Sequence, residues 1–302
     1  MTKKFYSNGK LLLTGEYGVL DGALSLAIPT KYGQSLTVST TNDYKIHWES
    51  LDEKNRIWFE ANFELNSFKL LSATDEKTAK VLLKMLLEAK KINSNFLLNT
   101  SGYSITTKLD FPRDWGLGSS STLINNIAQW AVIDSFKLLW NSFTGSGYDI
   151  ACASHNKPIV YQLIEEKPCI KEIDFTLPFK DAIYFIHLNK KQDSREGIKT
   201  YRKANFDKNV FIAELSSITE QIITCTAIEE FAKLITEHEA IIANILEQVP
   251  VKQLLFADYD GAIKSLGAWG GDFIMAVGSK NTMDYFNKKG YSTILNYSDM
   301  VL

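Results

Sequence analysis

Residues 112–121 read Pro-Arg-Asp-Trp-Gly-Leu-Gly-Ser-Ser-Ser and separate two runs of different periodicity. Before the loop, Ile105, Thr107, Leu109 and Phe111 alternate with other residues, the pattern of a half-buried strand that Pro112 ends. After it, Ile124, Ile127, Ala128 and Ala131 share one face of a helix expected from about Ser120 to Leu139. A loop that enters a helix presents backbone N–H groups with no intrahelical partner, and the partial positive charge there attracts phosphate. Gly116 and Gly118 allow close backbone approach to an anion. Ser119, Ser120 and Ser121 add hydroxyls. The loop is not of the Walker type, because no lysine follows its glycines. Taken alone it reads equally as a serine-capped strand-to-helix turn.

The chain has 302 residues, enough for one large domain or two modest ones. A net charge of −2 gives no electrostatic basis for nucleic-acid binding. Cys152, Cys169 and Cys225 are scattered, which suits buried thiols in a reducing compartment better than a disulfide framework or zinc site. No apolar run reaches the roughly 18 residues of a membrane span. The polar start Met-Thr-Lys-Lys lacks a signal-peptide pattern, so a cytoplasmic protein without membrane partners is expected. Short β-favouring runs fill the first half, with a helical stretch at Asp75–Lys91. A second block starts with a strand at Ala182–Leu188. It continues with helices near Val210–Ile223, Glu229–Gln248 and Tyr259–Ser265 and a strand at Phe273–Val277. Composition and pattern put a domain boundary near residue 180.

Three further segments carry candidate chemistry. Lys10, in Gly9-Lys10-Leu11-Leu12-Leu13-Thr14-Gly15-Glu16-Tyr17, stands where a polar loop enters an apolar strand, a place that also suits a solvated edge lysine. Asp149 opens a small-residue helix after Gly145 and Gly147, where an acid also complements the helix dipole. Gly267-Ala268-Trp269-Gly270-Gly271-Asp272 is a glycine loop or a helix C-cap with a turn. Four such segments in this order make four unrelated turns a poor account.

In that order the chain resembles the GHMP kinase superfamily, named for galactokinase, homoserine kinase, mevalonate kinase and phosphomevalonate kinase. The resemblance rests on Gly9-Lys10 with Gly15-Glu16, on Pro112 with Gly116-Leu117-Gly118-Ser119-Ser120, and on Gly267-Ala268 with Gly270-Gly271. Glu16-Tyr17, Asp149-Ile150-Ala151 and Asp272 after the glycine pair point toward the phosphomevalonate kinases. It implies an α+β, two-domain GHMP kinase fold. A ribosomal-protein-S5-like N-terminal domain would span 1–180, a ferredoxin-like C-terminal domain 181–302, and the active site would lie between them.

The activity implied is transfer of the ATP γ-phosphoryl group to mevalonate or phosphomevalonate, with Mg²⁺. By position, Gly116, Leu117, Gly118, Ser119, Ser120 and Ser121 would wrap the ATP phosphates, and Ser120 would help hold the metal. Asp149 would be base or orienter, and Lys10 would pair with it and neutralise charge on the acceptor or γ-phosphate. Glu16, Gly267, Ala268, Trp269 and Arg195 would contact the acceptor. Arg195 and Lys190, in the stretch Lys190-Lys191-Gln192-Asp193-Ser194-Arg195, read more readily as a basic solvated loop. The chain departs from the pattern in three ways. No glutamate lies between Thr122 and Asp149, where relatives supply one to the metal, and Asp134 is expected on a helix surface. Leu266 replaces a usual Ser or Thr. Trp269 replaces a usual Gly, and either narrows the acceptor pocket or packs as core. Other readings are a GHMP kinase for a sugar or sugar phosphate, or a non-catalytic ligand-binding regulator of that fold. A monomer or homodimer is expected.

Overall fold

A computed structural model describes residues 2–98, 101–191 and 194–302. The first part of the chain runs β1 (Lys3–Thr14), β2 (Ser25–Thr41), β3 (Lys45–Leu51), β4 (Ile57–Glu64), β5 (Leu70–Ala73), α1 (Glu76–Ile92), β6 (Gly102–Leu109), α2 (Ser119–Ala131), α3 (Ser135–Ser142), α4 (Tyr148–Ser154), β7 (Ile159–Ile164) and β8 (Lys167–Glu172). There follow β9 (Ile183–His187), α5 (Ser194–Lys203), α6 (Lys208–Thr224), α7 (Ile228–Leu246), α8 (Val251–Leu255), β10 (Ala262–Ser265), β11 (Phe273–Val277), α9 (Thr282–Lys288), β12 (Ile294–Asn296) and α10 (Tyr297–Met300). Among the described residues no helix is long and apolar enough to cross a membrane. The chain divides into two compact units, each assembled from several segments.

The first unit comprises Met1–Gly9, Tyr32–Arg113 and Leu117–Ser154. Its strands lie in the order β5-β4-β3-β6-β2. Neighbours are antiparallel except β3 and β6, which run parallel on either side of the β4–β5–α1 excursion. In β3 the alternation is read directly: Ile46 and Trp48 are buried, His47 and Glu49 are not. That apolar face packs on Ala79, Leu82 and Leu86 of α1 and on Ile124, Ile127 and Ala128 of α2. Helix α1 starts where it does because the Asp75 carboxylate accepts from the N–H groups of Lys77 and Thr78. The helix expected at Ser120–Leu139 is instead two. Helix α2 stops at Ala131, Val132 turns left-handed at φ 55°, and Asp134 caps α3 by accepting from Phe136 N–H at 2.8 Å. Asp134 is exposed as expected, but as the N-cap of α3 and not within a helix.

The second unit comprises Lys10–Lys31, Asp114–Gly116 and His155–Leu302. Ser25–Ala27 of β2 pair antiparallel with β7, and β7 with β8. A separate antiparallel sheet has the order β10-β11-β9-β12. With helices joining β9 to β10 and β11 to β12, this is the ferredoxin-like βαββαβ arrangement. Every residue of β9 and β11 is buried. One cluster joins Phe211 and Leu215 of α6 to Ile242 and Leu246 of α7, and a second joins Ile186, Ile274 and Ile263 to Phe256 and Phe286. The segment read as a helix at Tyr259–Ser265 ends in strand β10. Gly261 sits so close to the Val277 carbonyl that a Cβ would lie 2.2 Å from it, and Ala262–Ser265 then pair with β11 in register. Sheet pairing overrides the local pattern there.

Candidate functional site

In the first unit, Gly118 takes the left-handed conformation at φ +91° and opens α2, whose first intrahelical bond runs from Thr122 N–H to Gly118 O at 3.0 Å. The N–H groups of Ser119, Ser120 and Ser121 therefore belong to the first turn, the part of a helix that binds anions. The three hydroxyls differ. Ser121 is buried and its Oγ donates back to Gly118 O at 2.8 Å, whereas Ser120 is exposed and Ser119 half-buried. Leu117 is fully buried.

A buried polar network holds α2 in place. Thr122 Oγ1 meets Gln34 Oε1 at 2.8 Å, Asn126 donates to Gln34 O at 2.9 Å, and Ser7 donates to Asn126 at 2.8 Å. Asn125 donates to Ser7 at 2.9 Å and to Ala153 O at 3.2 Å, tying α2 to α4. Asp149 stands half-buried in the first turn of α4, accepting from Ile150 N–H at 3.1 Å. The serine turn and Asp149 thus sit on two packed helices of one unit.

In the second unit, Lys10 donates to Gly116 O at 2.9 Å. Gly116 has φ +67°, and a Cβ there would lie 2.4 Å from the Asp272 carboxyl group. Trp115 packs edge-on against Phe273 with ring centroids 5.3 Å apart. The loop between β10 and β11 turns through left-handed Gly267, Gly270 and Asp272. The Asp272 backbone is pinned on both sides, donating to Lys190 O at 2.7 Å and accepting from Leu188 N–H at 2.8 Å. Lys10, Gly116, Gly267 and Asp272 line one pocket. Asp272 carried no role in the sequence reading, and its place directly after Gly270-Gly271 is the signal that could have found it.

The other residues expected at the acceptor differ in burial. Trp269 is buried among Tyr17, Tyr201, Phe211 and Ile242, and its N–H donates to Tyr17 Oη at 3.4 Å, so it packs as core. Glu16 is 1% exposed, and its carboxylate accepts from the equally buried Lys264 ammonium. Ala268 is also buried. Arg195 is exposed on α5, while Gln192 and Asp193 lie outside the described residues.

Around Glu16 the interior is polar. His238 Nε2 accepts from Gly15 N–H at 2.9 Å and lies 3.3 Å from Glu16 Oε2. Glu239 accepts from Ser265 N–H at 3.0 Å and from Ser265 Oγ at 2.7 Å. Burial raises Glu16, opposed by the neighbouring Lys264, and burial pushes Glu239 up to about 7. Burial, then Lys264, holds His238 well below its usual range, so the ring is neutral. Lys264, His238 and Glu239 escaped the sequence reading because their partners are remote in the chain. Among the described residues, no group of three or more His, Cys, Asp or Glu is placed to hold a metal ion.

No protein-family model matches the chain, and neither does any curated protein sequence. Solved structures do resemble it. The mevalonate kinase of Methanococcus jannaschii superposes with a TM-score of 0.72 at 16% identity, covering 98% of each chain. Lactococcus lactis galactokinase, complexed with galactose, gives 0.71 at 14% identity, covering 98% of this chain and 92% of its own. Streptococcus pneumoniae phosphomevalonate kinase, in complex with phosphomevalonate and AMPPNP, gives 0.67 at 17% identity, covering 97% of this chain and 99% of its own. The chain has the α+β two-domain fold of the GHMP kinases.

Proposed function

We propose that this protein transfers the γ-phosphoryl group of ATP to an oxygen of a small-molecule acceptor. The observation that carries the reading is that Lys10, Gly116 and Gly267, one from each of the three motifs on which the resemblance rests, line one small cavity. Phosphoryl transfer needs little covalent chemistry from the protein, and positioning with charge stabilisation does most of the work. The first-turn N–H groups of α2 bind phosphate oxygens. Lys10, fixed on Gly116 O, supplies a cation that neutralises charge on the acceptor or the γ-phosphate. Asp149 orients the acceptor hydroxyl and takes its proton.

Mg²⁺ typically binds one or two protein oxygens, several waters and the substrate phosphates, so the exposed Ser120 hydroxyl would suit it without a dedicated acidic cage. Bound there, the ion would supply positive charge that offsets the charge developing on the transferred phosphoryl group. The division at residue 180 belongs to this proposal, with 181–302 as the ferredoxin-like domain.

Within this class we place the acceptor on the mevalonate route, as mevalonate or phosphomevalonate. The support is Glu16-Tyr17 and Gly270-Gly271-Asp272 in sequence, together with the phosphomevalonate kinase fold neighbour. The test is ADP release with mevalonate, phosphomevalonate, galactose and homoserine. ADP with one of the first two supports the full reading, and ADP with galactose only keeps the kinase and moves the acceptor to the sugars. No ADP above background with any of them favours a ligand-binding role.

A further inference from the structure

The buried groups of the second unit are not used by the transfer chemistry as described, yet they touch both of its polar segments there. His238 and Glu239 are consecutive on α7 and both are buried. His238 holds Gly15 N–H, on the segment that leaves the Lys10 strand. Glu239 holds Ser265, through its N–H at 3.0 Å and its hydroxyl at 2.7 Å, and Ser265 directly precedes the Leu266–Gly271 loop. Lys264 closes the circuit, donating to Glu16 and to Ser265 O, the latter at 3.0 Å. The charged groups facing Glu239 are Lys264 from β10 and Glu16 from the segment after β1, while His238, next to it on α7, lies against Glu16. Burying two carboxylates and an ammonium costs desolvation that an apolar core avoids. A function for the arrangement is therefore worth seeking.

We propose that Glu239 is a positioning residue for phosphoryl transfer: by clamping Ser265 it fixes the start of the Leu266–Gly271 loop, whose Gly267 lines a cavity with Lys10 and Gly116. The inference rests on the kinase reading above. A carboxylate takes charge-assisted bonds from both Ser265 donors, whereas a carboxylic acid must turn one oxygen into a donor and holds Ser265 less firmly. Because burial brings Glu239 to about 7, the two forms exchange near neutrality. The clamp tightens as pH rises through that value.

The experiment compares wild type with Glu239→Gln, which keeps the shape and removes the charge, and with Ser265→Ala, which removes only the hydroxyl. Acceptor and ATP KM are measured from pH 5.5 to 8.5, and hydrogen exchange of the 266–271 amides at both ends of the range. Wild type should show an acceptor KM that falls through about pH 7 with no matching step for ATP. Glu239→Gln should lose the step and carry an acceptor KM at pH 8.5 roughly tenfold higher, as expected for one bond to a charged group. Its loop amides should exchange faster at pH 8.5 only. An active wild type whose KM step and loop exchange survive in Glu239→Gln overturns the inference. A wild type inactive with every acceptor overturns the kinase reading instead, and the exchange data then decide whether Glu239 holds the loop. Should Glu239→Gln not fold, Ser265→Ala carries the same comparison, with unchanged acceptor KM and exchange again counting against the clamp.

Discussion

Asp149 and Gly116 show how differently single residues are committed to the proposed chemistry. Asp149 stands in a helix first turn, half-buried, its Oδ1 bonded to the next residue's N–H. Asp149→Asn keeps size and local bond but gives up the proton acceptor. It should lower kcat by about 10²–10⁴, while the affinity for an ATP analogue, measured by calorimetry, stays near wild type. Turnover retained within a few-fold removes Asp149 from the base role. Gly116 is constrained by space and by angle. A Cβ would strike the Asp272 carboxyl at 2.4 Å, and φ is +67°. Gly116→Ala should cost about 1–2 kcal/mol from the left-handed angle alone, and should weaken nucleotide-analogue binding, since the loop must shift to admit the methyl. Both residues were legible because short motifs display them. Glu16 was legible as a motif letter but not as an interior residue, because its partner Lys264 lies 248 positions away. Nothing near Lys264 in sequence marks it as buried, and only the pairing of β10 with β11 brings it inside.

At the scale of the element, periodicity located the long helices α1, α6 and α7 and the strands β6 and β11, whose apolar spacing is regular. It failed where an end is set by one residue or by a distant strand. Val132 closes α2 in a left-handed conformation that β-branched residues rarely adopt, so no sequence rule places a break there. Strand β10 is four residues long, with Lys and Ser buried in it. Helix α2 is the element on which the proposed nucleotide site depends, and its anchor is polar. Asn126 accepts from Ser7 and donates to Gln34 O in a fully buried setting. Asn126→Ala takes away the acceptor of the Ser7 hydroxyl proton and one donor to Gln34 O, which should cost about 1–3 kcal/mol. Urea denaturation reads that loss directly. Nucleotide affinity should fall with it, because the phosphate-binding N–H groups are held only as well as the helix that carries them. Lost stability with unchanged affinity would separate the anchor from the site.

For the molecule as a whole, sequence patterns suggested two α+β parts but not the strand order. The ferredoxin-like arrangement followed from the motif resemblance and not from hydrophobic spacing, which is silent on which strands pair. The global property most open to test is the dependence of stability on pH. Surface acids do not make stability vary with pH near neutrality. Asp43 and Asp258 are held at about 2 by hydrogen bonds from their neighbours, so they stabilise above their ordinary 3.8 and that contribution is lost only as pH falls below it. Two buried groups act in the neutral range with opposite signs. His238 lies below its ordinary 6.5, so the unfolded chain binds more protons and stability rises with pH up to about that value. Glu239 lies above its ordinary 4.5, at about 7, so the folded chain binds more protons between those values and stability falls as pH rises through the window. Glu16, also raised by burial, adds to that fall. Subtracting two melting curves isolates Glu239: on going from pH 5 to pH 8 wild type should lose more stability than Glu239→Gln, with most of the difference appearing before about pH 7. Parallel curves for the two proteins would mean that Glu239 is ionised throughout, balanced by Lys264, and that the clamp on Ser265 does not change with pH.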